Sequence, residues 1–137
     1  MKPELLIAIS AGIILLLGLL HLIYTFLGPK LTPRDTQLIE TMKRVSPVIT
    51  KETTMWKCWI GFNASHSLCA ILFALIYGYL AIRHADFLFA SYFLLATGFG
   101  LLASLVVLGK LYWFSIPFRG ISMAFTCYCA ALILNFT

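Results

Sequence analysis

The sequence predicts an all-α membrane protein: an up-down bundle of four transmembrane helices, with a short amphipathic cytoplasmic helix between spans 1 and 2. The first observation is composition, because 61% of the 137 residues are hydrophobic and only 11% are charged, whereas soluble domains average about 25% charged residues. The second is that the apolar residues are collected in four long runs separated by polar connections. We therefore expect residues 1–137 to form a single transmembrane domain.

Each run is long enough to cross a bilayer as a helix. The four predicted spans are 5–27, 56–82, 87–108 and 115–136. About 20 apolar residues cross the hydrocarbon core, and only a helix satisfies its own backbone there. The first run is too long for a signal-peptide core and has no small-residue cleavage site after it, so we expect a retained helix. The short connections 83–86 and 109–114 predict antiparallel neighbours.

The distribution of basic residues predicts the orientation. Two lie on the side of the N-terminus and of the loop between spans 2 and 3, namely Lys2 and Arg83. Eight lie on the opposite side: Lys30, Arg34, Lys43, Arg44, Lys51, Lys57, Lys110 and Arg119. The positive-inside rule then places both termini in the periplasm. Because the basic residues form no stripe interleaved with stacking aromatics, we expect no nucleic-acid partner.

The polar segment between spans 1 and 2 predicts an interfacial helix over about 33–46. Thr32 is a suitable N-cap, Pro33 suits the first helical position, and Asp35 favours the positive end of the helix dipole. Apolar residues then recur at helical spacing opposite basic ones. The segment is either a connector that braces spans 1 and 2 or a docking surface for anionic lipid or a partner. Thr50 is the expected cap of span 2.

Polar residues within the spans give the candidate binding site. Span 1 carries His21 and Thr25 on one face, and span 2 carries Asn63, His66 and Ser67. Counted from the cytoplasmic ends of their spans, the two histidines differ in depth by only about 6 Å. Antiparallel spans 1 and 2 would place these residues in one pocket in the cytoplasmic half. Near its mouth we expect two further residues, Tyr112 and Arg119.

Several interpretations of this cluster remain open. It is either interhelical glue, in which buried polar groups satisfy each other, or a site for the head group of a lipid or quinone. A third interpretation is a haem b ligated by His21 and His66. Catalysis by a histidine base lacks an intramembrane Asp or Glu to assist it, and two histidines alone are an incomplete metal site. Proton-coupled export is disfavoured because span 1 contains no acid.

Five stretches of the chain resemble a family of small bacterial four-helix membrane proteins. They are Gly18–Thr25 (GLLHLIYT), Gly28–Asp35 (GPKLTPRD), Thr53–Trp56 (TTMW), Gly61–Ser67 (GFNASHS) and Tyr112–Pro117 (YWFSIP). The similarity runs from about Gly18 to about Gly120. It implies a bacterial inner-membrane protein and assigns no activity, cofactor or ligand.

Together these observations favour a non-enzymatic role. We expect a small integral subunit or accessory protein of an inner-membrane complex that contacts lipid or quinone through the polar cluster. Its expected partners are membrane lipids and either other membrane subunits or further copies of itself. The alternative, from a different class, is a haem- or quinone-linked redox membrane protein that uses His21 and His66.

Overall fold

The structure, a computed structural model, describes residues 2–137 and is helical throughout. Its helices are α1 (Pro3–Phe26), α2 (Thr36–Arg44), α3 (Met55–Arg83), α4 (Ala85–Ala90), α5 (Tyr92–Tyr112) and α6 (Ser115–Phe136). Residues 2–137 contain no β-strand. The all-α prediction is therefore confirmed.

Four of these helices, α1, α3, α5 and α6, are long and apolar enough to span a membrane. Their outward faces carry large apolar side chains, among them Leu16 at 59%, Leu72 at 58% and Val107 at 56% exposure. A soluble domain rarely exposes such long apolar faces, whereas helices surrounded by lipid do so routinely. The helices thus fit a multi-pass membrane protein.

The third apolar run is divided, although it was predicted as one segment over 87–108. Helix α4 ends at Ala90, and α5 begins at Tyr92. Between them, the Ser91 hydroxyl accepts a hydrogen bond from the Leu94 N–H, and the Ser91 N–H bonds to the carbonyl of Leu88. A serine that caps a new helix interrupts the run without changing its hydropathy, which explains the difference.

The chain comprises two compact units. The first contains the residues up to Leu17 together with Ala70–Thr137. Its buried core includes aliphatic side chains from four helices: Ile7, Ile14, Leu88, Leu102 and Ile121.

Two buried tyrosines bind helix α5 within this first unit. The Tyr77 hydroxyl donates to the carbonyl of Leu94 at 2.7 Å, and the Tyr128 hydroxyl donates to that of Leu95 at 3.1 Å. Both rings approach α5 where it has no side chain, at Gly98. A Cβ there would lie 2.7 Å from Cε1 of Tyr77 and would also overlap the Tyr128 hydroxyl.

The second unit, Gly18–Cys69, holds the end of α1, all of α2 and the beginning of α3. The chain leaves α1 through Gly28, whose φ of 85° lies in the left-handed region that glycine adopts without strain. The Trp59 indole N–H then donates to the carbonyl of Leu31 at 2.9 Å, which links the beginning of α3 to the segment after α1.

Helix α2 is shorter than predicted, spanning Thr36–Arg44 rather than about 33–46. Its N-cap is Asp35, whose carboxylate accepts from the Gln37 N–H at 2.8 Å. The expected cap, Thr32, instead donates its hydroxyl to the carbonyl of Pro29 at 2.7 Å. Both residue types are good caps, and the preceding turn engages the threonine, so the helix begins later.

The start of α3 differs in the same way. It begins at Met55, and the Thr54 hydroxyl, not Thr50, accepts from a first-turn N–H, that of Lys57 at 3.4 Å. The Thr50 hydroxyl accepts from the Glu52 N–H within the preceding loop.

Candidate functional site

The polar cluster lies within the Gly18–Cys69 unit, where the end of α1 meets the beginning of α3. His21 Nε2 and Asn63 Oδ1 are 3.0 Å apart, which joins the two helices by a side-chain hydrogen bond. Asn63 is only 7% exposed. An amide buried among apolar helices needs such partners, because an unsatisfied polar group in hydrocarbon is costly.

The hydrogen bonds of Asn63 determine which nitrogen of His21 carries the proton. The amide Nδ2 donates to the carbonyl of Trp59 at 2.8 Å, so the other amide atom facing His21 is the oxygen, an acceptor. His21 Nε2 must therefore donate. In the neutral ring this leaves the Nδ1 lone pair as the acceptor of the imidazole.

His66 lies beside His21 and completes the cluster. The two ring centroids are 5.5 Å apart and the planes meet at 76°, an edge-to-face contact. On its own helix, His66 stacks on Phe62, with centroids 6.4 Å apart and planes at 10°. Both imidazoles are only partly buried. The cluster is thus closed to solvent only in part.

Thr25 and Ser67 support the cluster from within their own helices. The Thr25 hydroxyl donates to the carbonyl of His21, and the Ser67 hydroxyl donates to that of Asn63, both at 2.8 Å. Thr25 is 7% exposed and Ser67 is fully buried. Their hydroxyl hydrogens are thus donated to the helix backbone, and their oxygens can act only as acceptors. Their predicted part in ligand binding stays a prediction.

The remaining two predicted site residues belong to the other unit. Tyr112 is the last residue of α5 and is 75% exposed. Arg119 lies near the beginning of α6 and is also exposed. Their predicted place at the mouth of the pocket stays a prediction.

Two aromatic contributors to the cluster, Trp59 and Phe62, were not predicted from the sequence. Trp59 lies one helical turn before Asn63 and provides the carbonyl that orients its amide. Phe62 lies one turn before His66 and stacks on it. Their spacing of four residues was the available signal, since side chains at i and i+4 are neighbours on a helix.

Haem ligation does not fit this arrangement. Two axial imidazoles must point their nitrogens at one iron from opposite faces of a porphyrin, each at a distance of about 2 Å. Here His21 Nε2 is bound to Asn63, and the two rings touch edge to face with no porphyrin-sized gap between them.

Comparisons with protein-family models, with curated proteins and with solved structures find no match to this chain.

Proposed function

We propose that the chain is a small integral subunit or accessory protein of a complex in the bacterial inner membrane. Its four long helices cross as an up-down bundle with both termini in the periplasm, and α2 lies at the cytoplasmic face as an amphipathic interfacial helix. The uneven distribution of basic residues, eight against two, supports this orientation. The absence of carboxylates within the four long runs argues against proton-transfer chemistry.

The polar cluster is the proposed binding site for the head of an amphiphile, either a lipid or a quinone. The observation that carries this proposal is the pair of partly exposed histidines, His21 and His66, whose rings meet edge to face while His21 is bonded across the helices to Asn63. Intramembrane ionisable residues generally mark functional sites. An imidazole whose Nε2–H is bound to Asn63 offers Nδ1 as an acceptor for a hydroxyl, such as that of a quinol or a glycerol head group.

Native mass spectrometry of the purified chain tests the proposal. The protein is extracted in a gentle detergent, and bound small molecules and co-purifying proteins are identified for wild type, His21→Ala and His66→Ala. The control is His84→Ala, which removes an exposed imidazole outside the cluster. Its ring contacts Tyr79, and the backbone hydrogen bonds of residue 84 are kept in the variant.

We expect wild type and His84→Ala to retain one class of amphiphile that both cluster variants lose while their helical circular dichroism is unchanged. A quinone and a phospholipid are distinguished by mass. If the cluster variants keep every bound molecule and lose only thermal stability, the cluster is interhelical glue and the binding proposal is wrong. If wild type purifies without any larger membrane protein, the subunit role is wrong.

A further inference from the structure

The loop between α2 and α3, residues 45–54, is closed and ordered by its own hydrogen bonds. At its base, the Met55 N–H donates to the carbonyl of Val45 at 2.8 Å. At its tip, the Thr50 N–H donates to the carbonyl of Pro47 at 3.3 Å, which makes Val48 and Ile49 the two central residues of a turn. The loop therefore has a defined tip.

The side chains at this tip are unusual for a turn. Central turn positions favour Gly, Asn, Asp and Ser, whereas this one has two adjacent β-branched apolar residues. Val48 is 109% exposed and Ile49 is 92% exposed, more than any other large apolar side chain that the structure describes. Turn geometry does not require these two side chains, and neither of them is buried in the protein. Their apolar surface is therefore available to contact something outside the described residues.

Basic side chains flank the tip on both sides. Arg44 ends α2, Lys51 follows the turn, and both are exposed. The ion pairs found within residues 2–137 involve neither of them. Glu52 is the one acidic residue of the loop. An apolar tip between unpaired cations is complementary to an anionic lipid leaflet, which offers phosphates above and acyl chains below.

The position of the loop in the chain favours the surrounding membrane as its occupant. The hydrogen bond between Val45 and Met55 ties the loop base to the first residue of α3, a helix of membrane-spanning length. Trp56 and Trp59 follow at once, and tryptophan is enriched where a membrane-spanning helix enters the head-group region. The tip is therefore within a few residues of that region.

We propose that the tip of this loop is an interfacial anchor: Val48 and Ile49 insert into the acyl boundary of the leaflet where α3 begins, and Arg44 and Lys51 bind the phosphates of its anionic lipids. The anchor holds the Gly28–Thr54 segment against the bilayer and is separate from the His21–Asn63–His66 cluster.

An environment-sensitive label at the tip tests this proposal in the full-length chain. The four cysteines, at 58, 69, 127 and 129, are replaced by alanine, and Val48→Cys is labelled with the fluorophore NBD. Glu52→Cys in the same loop is the matched control. Both proteins are reconstituted in phosphatidylcholine alone and in an equimolar mixture with phosphatidylglycerol, and quenching is measured with doxyl lipids and with aqueous iodide.

We expect the label at 48 to be quenched by doxyl lipids and protected from iodide in the anionic bilayer, while the label at 52 shows the opposite. Replacing Arg44 and Lys51 by glutamine should lower the ratio of inserted to exposed label by about fivefold for each charge removed. A label at 48 that stays open to iodide in both bilayers contradicts the proposal, as does protection that requires an added protein.

A second measurement avoids the cysteine replacements. Hydrogen–deuterium exchange of residues 45–54 in otherwise native protein should be slower in the anionic bilayer, and Val48→Ser/Ile49→Ser should abolish the difference. Unchanged exchange between the two bilayers would contradict the anchor. His21→Ala should leave these readouts as they are, so a failure of the anchor is distinct from a failure of amphiphile binding.

Discussion

Replacing Gly98 by alanine tests the close packing of two tyrosine rings against helix α5. The added Cβ would overlap the Tyr128 hydroxyl and lie 2.7 Å from Cε1 of Tyr77. Neither ring has room to retreat, because Tyr77 is 5% exposed and Tyr128 is fully buried. Each ring is also held by a hydrogen bond from its hydroxyl to a carbonyl of α5.

The expected cost combines three terms. Overpacking costs about 1–3 kcal/mol, and weakening two hydrogen bonds between membrane helices adds about 0.6 kcal/mol each. Alanine recovers about 1 kcal/mol, because it is the better helix former. We therefore expect Gly98→Ala to lower the free energy of unfolding by about 2 kcal/mol, a sum dominated by the overpacking term.

The assay is unfolding by SDS titration in bicelles, followed by circular dichroism. Gly100→Ala is the matched control, since a Cβ at Gly100 on the same helix meets no atom within 4 Å. It should be neutral or slightly stabilising. Adding Tyr128→Phe should recover part of the loss in Gly98→Ala by removing the overlapped hydroxyl. Equal stabilities for the two glycine variants would refute the packing described here.

Three further predictions concern the rest of the chain. Asn63→Leu should destabilise the protein by about 1 kcal/mol in the same titration, because His21 loses its acceptor; an unchanged midpoint would show that the hydrogen bond contributes nothing. Asp35→Ala should weaken α2 by about 1 kcal/mol through loss of its N-cap, seen as faster hydrogen exchange over Thr36–Arg44; unchanged exchange would contradict the capping role. Alkaline phosphatase fused after Thr137 should be active, as a periplasmic C-terminus requires, and an inactive but stable fusion would reverse the orientation.

The four long helices were predictable because hydropathy reports directly on burial in lipid. The residues at which the helices begin and end were less predictable. The N-cap of α2 depends on which of Thr32 and Asp35 is engaged by the preceding turn, and the break at Ser91 depends on one side chain within an apolar run. Such choices are decided by local hydrogen bonds, to which a count of apolar residues is insensitive.

The contact of His21 with Asn63 and His66 was predictable in outline, because helical spacing places His21 on one face of its span and Asn63 and His66 on neighbouring positions of another. The sequence did not indicate that Asn63 bonds to His21 while Thr25 and Ser67 bond to their own helices. Which of these side chains bond across the helices and which bond to their own backbone depends on how the end of α1 is rotated against the beginning of α3. Aromatic neighbours such as Phe62 were overlooked because apolar residues in a membrane span carry no distinguishing signal.

Binding of an amphiphile by His21 is tested most sharply by ¹⁵N solid-state NMR of histidine-labelled protein in bilayers, with and without the amphiphile that co-purifies. The His21 signals are assigned by their loss in His21→Asn. We expect the ring to be protonated at Nε2 and its Nδ1 resonance to shift when the amphiphile is added. A His21 ring protonated at Nδ1 alone, or one whose resonances do not shift when the amphiphile is added, would contradict the proposed binding.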